Sequence, residues 1–336
     1  MKSKIYVLFL ACFTGCTLIT SCGGSKKKNN IIDTITNKPS VNVPVFNEDS
    51  AYSYVEKQVK FGPRVPNTPA QTKCAEYLAG KLKSFLGNVI VQETKVKAYN
   101  GKMLTCKNII ASYKPEINDR IFLSSHWDSR PYADNDPDPK NFNTPIDGAN
   151  DGASGVGVLI EIARQIKLNN PPIGLDIILF DAEDYGQPEF SKEPKDETTW
   201  CLGSQYWAKN PHKLKYYAKY GILLDMVGGR NATFPKEEYS LIYAPDVVRN
   251  VWNDAFKAGY SNYFIDDSPG QQIIDDHLYI NKIIGIPTID IIHLNQSGDH
   301  SFPPEWHTLK DNMDAIDRNT LKAVGQTLMT VIYDEQ

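Results

Sequence analysis

Cysteine is scarce: the 336 residues hold six, at positions 12, 16, 22, 74, 106 and 201. No two stand in C-x-x-C spacing, which excludes a zinc ribbon and a thioredoxin-type redox pair. Cys74, Cys106 and Cys201 can form at most one bridge among themselves, so at least one is expected as a buried free thiol. No apolar run approaches the roughly 20 residues that a membrane-crossing helix needs. No basic stretch with interleaved aromatics occurs and the formal net charge is −4, so no nucleic-acid partner is expected. Glycine-rich segments exist, but none is followed by Lys-Ser or Lys-Thr, and none has G-x-G-x-x-G order after a strand. A nucleotide cofactor is therefore not expected either.

What is present is ordinary globular composition, 41% hydrophobic and 23% charged. The first residues differ. Lys2 and Lys4 precede an apolar stretch from Ile5 to Phe13, and small residues precede Cys22. This reads as a secretory signal over residues 1–21. Its end, "ITSC", resembles a bacterial lipobox, which implies cleavage before Cys22 and lipidation of its thiol. The expected location is the bacterial cell envelope, lipid-anchored and facing the periplasm. Residues 22–49 are rich in Lys, Asn and Pro without periodicity, which suits a flexible tether. The remaining chain, 50–336, shows no repeat and no second boundary, so one domain is expected.

Within it, "RIFLSSHWD", "LDIILFDAED", "YGILLDMVGG" and "IPTIDIIH" read as buried strands, and "NVIVQETKV" and "LTCKNIIASY" as further strands. Gly155 to Ile166, Pro245 to Ala258, Asp275 to Ile284 and Asp314 to Tyr333 read as helices, and "SQYWAKN" as a short one. Helices alternating with apolar strands predict an α/β fold: a mostly parallel, mixed central sheet covered by helices on both faces.

Several acids and a histidine follow strands directly: His126 and Asp128, Glu183 and Asp184, then Asp225, with Asp290 inside the last strand. In open α/β sheets, sites form at the carboxyl ends of strands. His, Asp and Glu together suit zinc. Asp151, in "GANDGASGVG", precedes a predicted helix, whose dipole favours the ionised form a metal requires. Adjacent Glu183 and Asp184 can divide roles, one facing metal and one facing substrate. His307, from a loop, could complete the set. Asp275 opens a predicted helix and is also suited to cap it.

These motifs resemble the M28 zinc-peptidase fold family. "GANDGASG", "LFDAED", "LLDMVGG" and "WHT" carry that likeness. "FGPRVPNTPA", "DDH", "GIP" and "WHT" resemble its glutaminyl cyclase branch, and "SSHWDSRPYADNDPDPKN" and "WCLGSQYWAKNPH" look like the Bacteroidetes lipoprotein members. The resemblance spans roughly residues 50 to 333. It implies one zinc ion held by Asp151, Asp184 and His307. It also implies Glu183 as general acid/base, Asp225 and Asp275 as an acidic relay, and Trp306 as a wall of the substrate pocket. Asp184 stands where many relatives carry Glu, and Asp290 where animal cyclases carry His.

The implied reaction converts the N-terminal glutamine of peptides or proteins to pyroglutamate with release of ammonia. The nucleophile is already tethered to its target. What remains is to polarise the amide, which zinc can do, and to move a proton from amine to leaving group, which a carboxylate can do. Two other readings stay open. A two-metal zinc aminopeptidase would use His126, Asp151, Asp184, Asp225 and His307 as ligands. A catalytically inert binding lipoprotein would have no use for Glu183.

Overall fold

The computed structural model describes residues 42–295 and 302–335. The signal segment, Cys22 and most of the expected tether lie outside the described residues. Packed chain begins ahead of residue 50. Phe46 is fully buried, and a Cβ on Gly325 would collide with its ring. Asn47 then caps helix α1 (Glu48–Val59) by accepting from the Ser50 N–H.

Six strands form one sheet in the order β1-β2-β4-β3-β5-β6: β1 (Asn88–Lys97), β2 (Met103–Tyr113), β3 (Arg120–His126), β4 (Gly174–Phe180), β5 (Gly221–Asp225) and β6 (Thr288–Ile292). β1 and β2 form an antiparallel hairpin whose turn places Gly101 at φ +80°, and β2 runs antiparallel to β4. The pairs β4–β3, β3–β5 and β5–β6 are parallel. Parallel neighbours require crossovers. These are supplied by α3 (Ala153–Asn169), by α4 (Leu202–Lys209), and by α5 (Glu238–Tyr243), α6 (Pro245–Lys257) and α7 (Asp276–Ile283) between the last two strands. The sheet is thus mixed, with its antiparallel part at one edge.

Every residue of β3, β4, β5 and β6 is buried, whereas β1 is half-buried or exposed throughout. That contrast follows from covering both faces of the central strands. Ile121, Leu123, Ile177, Leu179, Ile222 and Leu224 pack on one face with residues of α1, α2 (Pro69–Leu86), α3, α6 and α8 (Arg318–Asp334). Phe122, Ile178 and Phe180 pack on the other with Trp207 of α4 and Ile280 of α7. Among the described residues no helix is long and apolar enough to cross a membrane.

The closing helix starts at Arg318, not Asp314, because Asp317 caps it by accepting from the Asn319 N–H. Helices α1 and α2 were not legible in the sequence. Their buried faces include Gln58 and Gln71, which break the apolar periodicity.

Candidate active site

The parallel strands deliver their ends to one place. His126 and Asp225 are the last residues of β3 and β5, and Glu183 and Asp184 follow β4. Asp151 directly precedes the cap of α3, Asp275 caps α7, and His307 comes from a loop. The glycines around Asp151 serve close packing. A Cβ on Gly152 would strike the carbonyl oxygen and ring of His126. On Gly155 it would meet Ser125 and the Leu224 carbonyl, and on Gly157 it would meet Val55 of α1. They let α3 approach β3, β5 and α1, and so bring Asp151 to the strand ends.

Asp151, Asp184 and His307 each offer an atom within 4.8 Å of the others. His307 Nε2 lies 3.3 Å from Asp184 Oδ1 and 3.6 Å from Asp151 Oδ2. Its other nitrogen, Nδ1, faces Asp134 at 3.5 Å. Asp134 is gripped at both oxygens by buried Arg130, at 2.7 and 2.5 Å. The Asp134 carboxylate thus stands behind the imidazole as a buried charge, while Nε2 is aimed at the site. The ring also stacks on Trp306 at 3.8 Å and lies parallel to Trp200 at 6.1 Å. Asp184 Oδ2 is buried and has no hydrogen-bond partner. A buried orphan oxygen beside two further ligand atoms fits a metal ion.

A second triple, His126, Asp151 and Asp225, shares Asp151. His126 Nε2 lies 2.9 Å from Asp151 and 3.2 Å from Asp225, and it also accepts the Gly152 N–H at 3.2 Å.

Few cations answer this concentration of buried acid, and the titrations shift accordingly. Burial pushes the Glu183 carboxyl well above its ordinary range, with Asp184, Asp275 and Asp276 adding to the effect against His126. Burial and Asp151 raise Asp184 to about 6. Burial likewise raises Asp225 to about 7, against its bond to His126. Asp151 moves down: burial opposes this, but His126, His307 and Arg130 outweigh it. His126 moves well up: burial opposes, and the surrounding carboxylates of Asp128, Asp151, Asp225 and Glu183 prevail.

The Glu183 side chain is 12% exposed and lines the cavity. Cys201 donates its thiol to Glu183 Oε1 at 3.3 Å, and its N–H to the Glu183 carbonyl at 2.9 Å. Four non-glycine residues here adopt positive φ: Ala182, Cys201, Met226 and His307, between +50° and +56°. Such strain persists only where surrounding structure enforces it.

The cavity measures about 260 Å³. Trp306 lines it, together with Phe302, Trp200 and Ile273 above the acidic floor. Sequence reasoning named neither Trp200, Phe302, Arg130 nor Asp134 as site residues. One signal was available: the segment from Trp127 to Gly148 is long, contains no strand or α-helix, and yet buries Arg130, Ala133 and Asp134. Long structured loops of that kind are usually functional. Cys74, Cys106 and Cys201 are all buried and free.

Fold and site together define an α/β metalloenzyme scaffold. The chain belongs to peptidase family M28, whose model matches residues 108–332. It is similar to the crystal structure of Bacteroides thetaiotaomicron glutaminyl cyclase bound to N-acetylhistamine, at 57% identity and TM-score 0.86, covering 88% of this chain and 100% of that one. It is comparably similar to a Zn-dependent exopeptidase from Parabacteroides distasonis, at 56% identity and TM-score 0.85, covering 87% and 100%. The glutaminyl-peptide cyclotransferase of Gloydius blomhoffii is 25% identical over 302 residues, 81% of this chain and 77% of that protein.

Proposed function

We propose that this chain is a zinc-dependent glutaminyl-peptide cyclotransferase that converts N-terminal glutamine to pyroglutamate and releases ammonia. The observation that carries the reading is the division between neighbours. Asp184 turns to His307 and leaves one oxygen unpartnered, while Glu183 faces the cavity with a raised affinity for a proton. Asp151, Asp184 and His307 would hold a zinc ion, which when bound would supply Lewis-acid polarisation of the side-chain amide. Glu183 takes a proton from the attacking amine and returns it to the departing nitrogen. Asp225 and Asp275 flank it as an acidic relay. Trp306, Trp200 and Phe302 exclude water from the cavity and hold the aliphatic part of the glutamine.

A single metal is the count we favour. In the second triple, His126 Nε2 already meets Asp151 and Asp225 at 2.9 and 3.2 Å, and the raised imidazole favours its protonated form. In the first, Asp184 Oδ2 has no partner. The rival is a two-metal aminopeptidase, and the exopeptidase described for Parabacteroides distasonis keeps that reading in view. We also propose anchoring at the cell envelope through lipidated Cys22, after removal of residues 1–21, with the chain up to about residue 42 acting as tether.

Mass spectrometry decides between the two activities. Purified protein incubated with a Gln-initiated peptide should yield the intact peptide lacking one ammonia; loss of the whole N-terminal residue would establish the aminopeptidase. Metal analysis should find one zinc per chain, lost in His307→Ala. Two equivalents, the second dependent on His126, would overturn the single-metal count.

A further inference from the structure

Hydrophobic side chains scattered singly over a surface are normal, but the most exposed ones of this chain share one end of the molecule. Among the described residues the four large hydrophobic side chains with the greatest exposure are Leu214 at 90%, Val45 at 70%, Leu168 at 65% and Tyr217 at 64%. None of them lines the cavity.

Leu214 and Tyr217 belong to the segment between α4 and β5. In that segment the Lys219 N–H donates to the Arg120 carbonyl and the Tyr216 hydroxyl to Asp176, both at 2.8 Å. Arg120 opens β3 and Asp176 is near the start of β4. The segment therefore lies against the beginnings of the parallel strands, whereas His126 and the acids stand at their ends, about 20 Å along the strand. Leu168 is in the last turn of α3. It lies about 22 Å along the helix axis from Ala153, beside Asp151. The Val45 carbonyl accepts the side-chain N–H of Gln165 at 3.2 Å, while Gln58 at the other end of α1 donates to the Ala153 carbonyl at 3.1 Å. Helix α1 thus runs antiparallel to α3, and the described chain enters the fold at the end away from the cavity.

The segment is built to hold polar and apolar groups out together. Tyr216 and Ala218 are buried in the core that contains Phe122 and Trp207. Asp176, which receives Tyr216, is gripped by Arg120 at 2.7 and 3.0 Å. Lys213, Leu214, Lys215 and Tyr217 are exposed around these anchors, and Lys215 turns the chain at φ +54°. Among the described residues neither Lys213 nor Lys215 pairs with an acid; Lys213 Nζ lies 3.4 Å from the Pro115 carbonyl. On the neighbouring turn Lys114 offsets Glu116, and Lys219 answers Asp119 at 2.6 Å. Two lysines are left in surplus here, in a chain whose formal net charge is −4.

An exposed leucine and tyrosine between unpaired lysines suit the interface of a bilayer. The leucine enters the acyl boundary, the tyrosine ring sits at headgroup level, and the ammonium groups meet phosphates. A second copy of the same end suits them less, because Lys213 and Lys215 would face their own counterparts. We propose that this end of the molecule rests on an anionic phospholipid bilayer through Lys213, Leu214, Lys215 and Tyr217, with the cavity opening away from the lipid. The surface is independent of the cyclisation reading and needs no acyl group on Cys22. Near an anionic surface each lysine contributes roughly fivefold in affinity, so the contact orients the domain and does not anchor it. Peptide substrates then reach the cavity from the aqueous side.

The test uses the full chain carrying Cys22→Ala, so that no acyl group contributes, and vesicles of phosphatidylcholine with or without phosphatidylglycerol. Flotation should show binding at least about tenfold tighter with phosphatidylglycerol, two lysines' share, and weaker as salt rises. Lys213→Gln combined with Lys215→Gln should remove most of that preference. Leu214→Ser should weaken binding at least about threefold, part of the value of burying a leucine. All three positions are exposed and remote from the cavity, so turnover of a Gln-initiated peptide in solution should hold and report that the variants fold. A polarity-sensitive dye on Leu214→Cys should shift on phosphatidylglycerol vesicles, and on Leu309→Cys, two residues past His307, it should not; Cys74, Cys106 and Cys201 are buried. Equal binding to both vesicle types, binding that the variants leave unchanged, or a shift at both dye positions would overturn the membrane-facing surface. Self-association abolished by Leu214→Ser would overturn it as well, by making the partner a second copy. A peptidase result in the mass assay would sink the cyclisation reading and leave this surface standing.

Discussion

Asp128 accepts the backbone N–H groups of Glu183 and Asp184 through its two carboxylate oxygens, at 3.1 and 3.2 Å. One buried acid at the end of β3 thus fixes the turn after β4 that carries both the proposed base and a proposed ligand. Asp128→Asn puts an N–H where one of those amides must donate. Outer partners of this kind typically affect metal affinity by roughly 10- to 100-fold. The variant should bind zinc at least about tenfold more weakly in chelator competition, with turnover falling alongside. Unchanged affinity would mean that the turn holds its shape without Asp128.

Glu183→Gln preserves shape but cannot take the amine proton. It should retain the fold and the zinc while losing at least ~10²-fold in turnover, the scale of general acid–base catalysis. Asp184→Asn should instead lose zinc along with activity. Wild-type cyclisation by Glu183→Gln would leave the mechanism without a base.

Metal-free protein should become less stable as pH rises from about 5 to about 8. Asp184 and Asp225 are raised from an ordinary 3.8 to about 6 and about 7, so the folded state holds protons that the unfolded chain releases. Their stabilisation is complete below the ordinary value and disappears as pH passes the folded ones. The raised His126 and His307 act in the same sense. Glu237 and Asp134, lowered in the fold, act in the opposite sense, but only below about pH 4. Zinc requires deprotonated carboxylates, so its binding strengthens over the same window. Thermal melts across this range, with chelator and with zinc, should diverge as pH rises. A stripped-protein Tm that stays flat or climbs would contradict the assigned shifts.

Cys22→Ala should release the mature protein from the membrane fraction and abolish its acylation. If the variant remains bound and acylated, the lipobox reading fails.

Composition and strand-end chemistry were legible in the sequence because both depend on short stretches of chain. Runs such as "IILF" and "ILL" are apolar throughout, and that pattern announces strands buried on both faces. The acids that follow them then fall at one edge of any parallel sheet. Asp151, Glu183, Asp184, Asp225, Asp275 and Trp306 could be nominated on that basis and from family-like motifs, and His307 from "WHT". The supporting shell could not. Arg130 and Asp134 lie in a loop without periodicity, and Asp134 faces His307 across more than 170 residues of chain. Trp200 meets His307 and Arg130 beside a left-handed turn at Cys201, far from both in the chain. His277 could be read as part of "DDH", but its contact with Glu237 depends on α5 packing against α7 and β6. The sequence by itself determined which residue types end each buried strand, since local pattern and side-chain chemistry suffice for that. Only the tertiary structure decided which atoms are left without partners and which carboxylates lie together, because both depend on distances between distant segments in a dry interior.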